Sequence, residues 1–153
     1  MNDGSQSAAR PILLPDAPAL IAGNRTVVWL NTDGEIKTLG KSETAEHLQI
    51  NNPPIICHSR SFFSRLGAKQ FPVYDVLELF AFVRPAQFTL PTPRGVAQVL
   101  GLTLPDNHDQ EAQSLMLSAH ALLSEMAAAK VDSDTEAIAL AMYRGGWPWA
   151  EMV

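Results

Sequence analysis

The spacing of apolar residues changes along the chain, and each change marks an element. Ala19-Leu20-Ile21-Ala22 is a short apolar run closed by Gly23-Asn24, the pattern of a strand and a turn. Thr26-Val27-Val28-Trp29-Leu30 is β-branched and aromatic, and Glu35-Ile36-Lys37-Thr38-Leu39 alternates polar with apolar. Asp33-Gly34 lies between these two runs, and glycine supplies the positive φ of a tight turn, so a hairpin is expected. Ser42 is placed to cap a short helix ending at Leu48, with Glu43 and Glu46 near its positive end. Pro53-Pro54 introduces Ile55-Ile56-Cys57, which reads as an interior strand. Either Ser59 or Ser61 can cap the helix that follows, and Gly67 suits its stop. Phe71 to Val76 suggests another short strand. Leu77 to Val83 is apolar around Glu78; a buried helix fits, and the pattern alone leaves a strand open.

The second half is helical in pattern. Thr92-Pro93 offers a capping hydroxyl followed by proline at the first helical position, and Gly101 closes that segment. Ala112, Leu115, Met116, Ala119, Leu122, Leu123 and Met126 keep the three-and-four spacing of one apolar face, which predicts a long helix from about Asp109 to Ala129. Asn107 and Gln110 have capping-box spacing in front of it. A last helix is expected from Ser133 to Gly145-Gly146, with Ala137, Ile138, Ala141 and Met142 as its apolar positions. Trp147 and Trp149 in the tail call for a surface to bury against. The order of elements predicts an α/β fold: three antiparallel strands, then parallel strands, with helices packed on the faces.

Composition narrows this little. The chain has 153 residues, enough for one domain with a core, and 46% of them are hydrophobic. A formal net charge of −5 argues against a dedicated nucleic-acid binder without excluding a local basic patch. Cys57 is the single cysteine, so no intrachain disulfide and no thiolate zinc cluster can form. Met1 to Ala9 is rich in Ser, Asn and Gly and is expected to be disordered, as part of an extended segment reaching residue 14. No apolar run approaches the roughly 20 residues of a membrane span, and a cytoplasmic setting is expected.

The run Ile55-Ile56-Cys57-His58-Ser59-Arg60-Ser61-Phe62-Phe63, then Val73-Tyr74-Asp75-Val76-Leu77-Glu78-Leu79, then the long helix, resembles the proofreading-type DEDD exonucleases of the ribonuclease H-like fold. Those enzymes hold two divalent cations between acidic side chains. The resemblance aligns His58 with the motif histidine and Phe63 with a metal-binding aspartate. On the long helix it aligns Gln110 with a histidine and Leu115 with an aspartate. Asp75 matches an aspartate that is not a metal ligand, and it also suits a helix N-cap. The first strand carries no acid. The expectation is a degenerate exonuclease-like domain over 15–130 with no catalytic residue, no metal and no cofactor. An active exonuclease using displaced acids such as Asp33, Asp75 or Asp109 is the competing reading. Arg60, Arg65, Lys69, Arg84 and Arg94 are the candidate DNA contacts if they cluster.

A second resemblance runs through Leu77-Glu78-Leu79-Phe80-Ala81-Phe82-Val83-Arg84-Pro85, Leu90-Pro91-Thr92-Pro93-Arg94-Gly95 and Trp147-Pro148-Trp149. These segments look like the N-terminal region of bacterial DinG-like ATP-dependent DNA helicases. It implies that 131–153 holds a helix and the start of a linker, that the chain is a fragment, and that the parent protein continues into an XPD-like helicase core. ATP, Mg²⁺ and any iron–sulfur cysteines would belong to that core, since this chain has no P-loop. The implied partners are the core itself and single-stranded DNA. A protein-interaction module with no DNA role is the other alternative; an apolar patch around Trp147 and Trp149 would favour it, and a basic face would count against it.

Overall fold

The structure, a computed structural model, describes residues 14–48, 53–129 and 132–153. The disorder expected for Met1 to Ala9 falls outside the described residues. Strands β1 (Ala19–Ala22), β2 (Thr26–Leu30), β3 (Ile36–Gly40), β4 (Ile55–Ile56) and β5 (Tyr74–Asp75) form one sheet in the order β3-β2-β1-β4-β5. The β1–β2 and β2–β3 pairs are antiparallel, and β1–β4 and β4–β5 are parallel. Gly34 takes φ 88° in the expected Asp33-Gly34 hairpin, and Asn31 N donates to Glu35 O at 2.8 Å to close it.

The sheet separates two cores because alternate residues of a strand face opposite sides. Ala19, Ile21, Val28, Leu30 and Ile55 meet α3 (Val76–Val83), α4 (Pro93–Val99) and α5 (His108–Ala128) on one face. Leu20, Ala22, Val27, Trp29 and Ile56 meet α1 (Lys41–Leu48) and α2 (Ser59–Leu66) on the other. The result is a three-layer α/β/α arrangement. A central strand covered on both faces has no polar side, which is why β1 is a continuous apolar run.

Four local expectations need correction. Ser42 does not cap α1: β3 runs straight into the helix at Lys41, and Thr44 Oγ1 donates to Gly40 O at 2.8 Å across the junction. The strand expected from Phe71 to Val76 shrinks to Tyr74–Asp75, because Val76 already begins α3. Asn107 Oδ1 accepts from Gln110 N as a cap should, but Gln110 Oε1 reaches back to Asp106 N rather than to Asn107 N. Helix α6 (Ser133–Arg144) forms where expected, yet it has no buried residue, and Ile138, Leu140 and Tyr143 are exposed.

The tail returns to the domain. A short 3₁₀ turn, Pro148–Glu151, carries Trp149 into the α3/α5 core with 0% exposure. Its Nε1 donates to Asp75 O at 2.9 Å, and its ring meets Tyr74 edge-on with centroids 5.0 Å apart. A domain edge at residue 130 therefore leaves part of this core on its far side.

Candidate functional site

Because β1 and β4 are parallel, their C-terminal ends open on the same rim of the sheet. Clefts in α/β sheets form where such strand ends face a gap in the helical cover. Here a cleft of about 260 Å³ lies over Ile21 and Ala22 of β1 and over Cys57 and His58, which follow β4. Ser61, Phe62 and Arg65 of α2 form one wall; Pro91, Thr92 and Pro93 with Glu111 of α5 form the other. The proline wall lies close against the start of α4 for a specific reason. A Cβ on Gly95 would come within 2.7 Å of Leu90 O, so only glycine lets the loop lie this close to the start of α4. Thr92 Oγ1 accepts from Gly95 N at 3.0 Å and caps that helix, as Thr92-Pro93 predicted.

His58 takes φ 61° and ψ 82°, the one left-handed non-glycine residue among the described residues. Such a conformation costs about 1–3 kcal/mol and persists only when its surroundings fix it. Asp75 does so. Its Oδ1 accepts from His58 N at 2.9 Å and from Leu77 N at 2.9 Å, and its Oδ2 accepts from Ser59 N at 2.8 Å. One buried carboxylate thus caps α2 and α3 together, and neither Ser59 nor Ser61 caps α2. Ser61 instead places its Oγ 2.9 Å from His58 Nδ1.

The cleft is poor in available charge. Arg65 Nη1 donates to Ala22 O at 3.3 Å and rests on the end of β1. Burial, then the Asp75 and Glu111 carboxylates, push the Cys57 thiol far above its ordinary pKa, so it stays protonated. Among the described residues, Glu111 is the single carboxylate in the lining. Among the described residues no group of three His, Cys, Asp or Glu side chains is placed to hold a metal ion. A two-cation site needs several carboxylate oxygens around both ions, and this residue set does not fit one.

The aligned motif residues scatter. His58 lines the cleft, but Phe63 does not: it packs in the α1/α2 core, edge-on to Phe71 at 4.8 Å. Residues 58, 61, 62 and 65 share a helical face, so Phe62 is the phenylalanine that fills the cleft wall. Leu115 is a core residue with 1% exposure, and Gln110 is occupied in capping. Glu111, which the alignment passed over, is the α5 residue that reaches the cleft; its signal was only its place beside Gln110.

No family model, curated protein or solved structure matches this chain.

The displaced acids do not gather either. The register Ala19 to Leu30 puts the Asp33 turn at the sheet edge opposite the cleft. Both Asp75 oxygens point into backbone amides. Asp109 is exposed on the first turn of α5. Of the five candidate DNA contacts, Arg65 alone lines the cleft, while Arg60 and Lys69 are exposed on or just after α2. Arg84 pairs with Glu125 at 3.0 Å and also reaches Gln87; Arg94 is held by Pro105 O at 2.8 Å and lies 3.4 Å from Asp106. Those two arginines sit at opposite ends of α5, whose 21 residues span about 30 Å, so the five cations do not form one face.

Proposed function

We propose that this chain is a non-catalytic domain of exonuclease-like, ribonuclease H-type architecture that serves an ATP-dependent DNA helicase of the DinG-like kind. The observation that carries the reading is the cleft at the ends of β1 and β4. It lies where an α/β sheet places its chemistry, yet its described lining offers one carboxylate, a neutral thiol, a histidine and an arginine held on a backbone carbonyl, with no second acid to share a metal ion. The motif segments support the helicase connection, and ATP with Mg²⁺ belongs to the core that would follow.

Within that role, recruitment of a protein surface is favoured over guidance of DNA. Arg84 and Arg94 are engaged by acceptors far apart, and the overall charge is negative. A phosphate track requires adjacent free cations.

The test is a Mn²⁺ titration by calorimetry beside digestion of a 3′-labelled single-stranded oligonucleotide. The expected result is no specific metal binding and no digestion. Digestion that disappears in Glu111→Gln or in Asp109→Asn would overturn the reading and make the cleft a divergent nuclease.

A further inference from the structure

On the far side of α2 from the cleft, an open groove of about 760 Å³ runs between α3, the residues before β5 and the α6–3₁₀ junction. Its volume is that of a ligand site. Phe63, Phe71, Phe82 and Trp147 are among its lining residues, and Met142 extends it onto α6. Phe82 and Trp147 stand together with ring centroids 5.1 Å apart and planes tilted by 50°.

Among the described residues that line the groove, Glu78 is the one charged group and none is a cation. Trp147 Nε1 donates to Glu78 Oε2 at 3.1 Å, which fixes the carboxylate beside the indole. Among the described residues no lysine or arginine forms a salt bridge with it. Burial and the neighbouring Asp75 charge disfavour its ionised form, and an incoming cation would offset that by favouring the charged carboxylate. An anionic carboxylate beside aromatic faces selects a cation, since ring faces are electronegative. It disfavours phosphate, which argues against nucleic acid as the occupant. Arginine suits this surface better than lysine: its guanidinium is planar, weakly hydrated, stacks on rings and still donates to a carboxylate.

We propose that this groove docks a segment of a partner protein that inserts an arginine between Glu78 and the Phe82–Trp147 pair, with apolar neighbours on the phenylalanine wall. The inference deepens the recruiting role above and rests on it. The metal and digestion assays test the cleft, so the two can fail separately.

The probe is the peptide acetyl-Leu-Arg-Leu-amide, titrated into the ¹⁵N-labelled chain while the three tryptophan indole N–H signals are followed by NMR. The Trp147 signal, assigned with Trp147→Phe, is expected to shift saturably while that of Trp29 stays in place. Replacing arginine by norleucine or glutamate should abolish the shift. Glu78→Gln should weaken binding about tenfold, and Phe82→Leu should weaken it with the Trp29 and Trp149 signals unchanged, which shows that both variants fold. No Trp147 shift with the arginine peptide, or equal shifts with the norleucine or glutamate peptide, would overturn the proposal.

Discussion

Replacing Asp75 tests whether one carboxylate holds two helices. Asp75 has 2% exposure and accepts three backbone N–H bonds, two at the start of α2 and one at the start of α3. In Asp75→Ala all three donors lose their acceptor, and an unsatisfied buried donor costs about 1–3 kcal/mol. Some of the freed amides will find water, so the expected loss is about 3–5 kcal/mol, set against total stabilities of about 5–15 kcal/mol. Asp75→Asn is the finer probe. Its single oxygen can keep His58 N and Leu77 N, but its amide group then faces Ser59 N–H, donor against donor. The expected loss is one charge-assisted bond, about 1.5–3 kcal/mol. Urea unfolding followed by circular dichroism gives both values, provided the slope is unchanged. Amide exchange at Ser59 should accelerate in both variants, and at His58 in Asp75→Ala alone. A loss below about 1 kcal/mol in Asp75→Ala, less than one cap is worth, would refute the double-cap argument.

Other predictions follow from single contacts. Ser118 is 1% exposed and its hydroxyl has no partner among the described residues, so Ser118→Ala should raise stability by about 1 kcal/mol in the same urea assay. Gly95→Ala should destabilise the chain by about 1–3 kcal/mol, because the new methyl meets Leu90 O at 2.7 Å; a neutral result would show that the proline wall can yield. Glu78 has its pKa raised by burial first and by Asp75 second, so folding favours the protonated form. That contribution is full below the ordinary value of 4.5 and is lost as pH rises through the raised one. The melting temperature of Glu78→Gln relative to the parent chain should therefore climb from pH 4 to about pH 7, and a flat difference would contradict it.

What could be read from the sequence was local. The Asp33-Gly34 hairpin, the Gly67 stop, the Thr92 cap and α5 follow from neighbours a few residues apart, and Gly67 indeed takes φ 73° with its N–H on Phe63 O. Asp75 was legible as a cap for α3, where the donor is two residues away, but not for α2, where the donors are 16 and 17 residues back. The positive φ at His58 was equally invisible, since it exists only because that carboxylate waits there. The helical face of α2 could have been read from the spacing of 58, 61, 62 and 65. Alignment to a motif instead directed attention to Phe63, which packs in the α1/α2 core without lining the cleft. Nothing local announced the groove, because Trp147 meets Glu78 across 69 residues.

The same tail sets an order of assembly. The β1–β2–β3 meander closes short loops, whereas β4, β5 and Trp149 are joined to it across long ones, and long loops close slowly. Trp149 bonds to Asp75, 74 residues away, and lies wholly inside the core, so its place exists only after α3 and α5 have met the sheet. Trp29 sits in the meander. In a stopped-flow refolding experiment on single-tryptophan variants, Trp29 fluorescence should change first and Trp149 last, which makes the tail the closing step of folding.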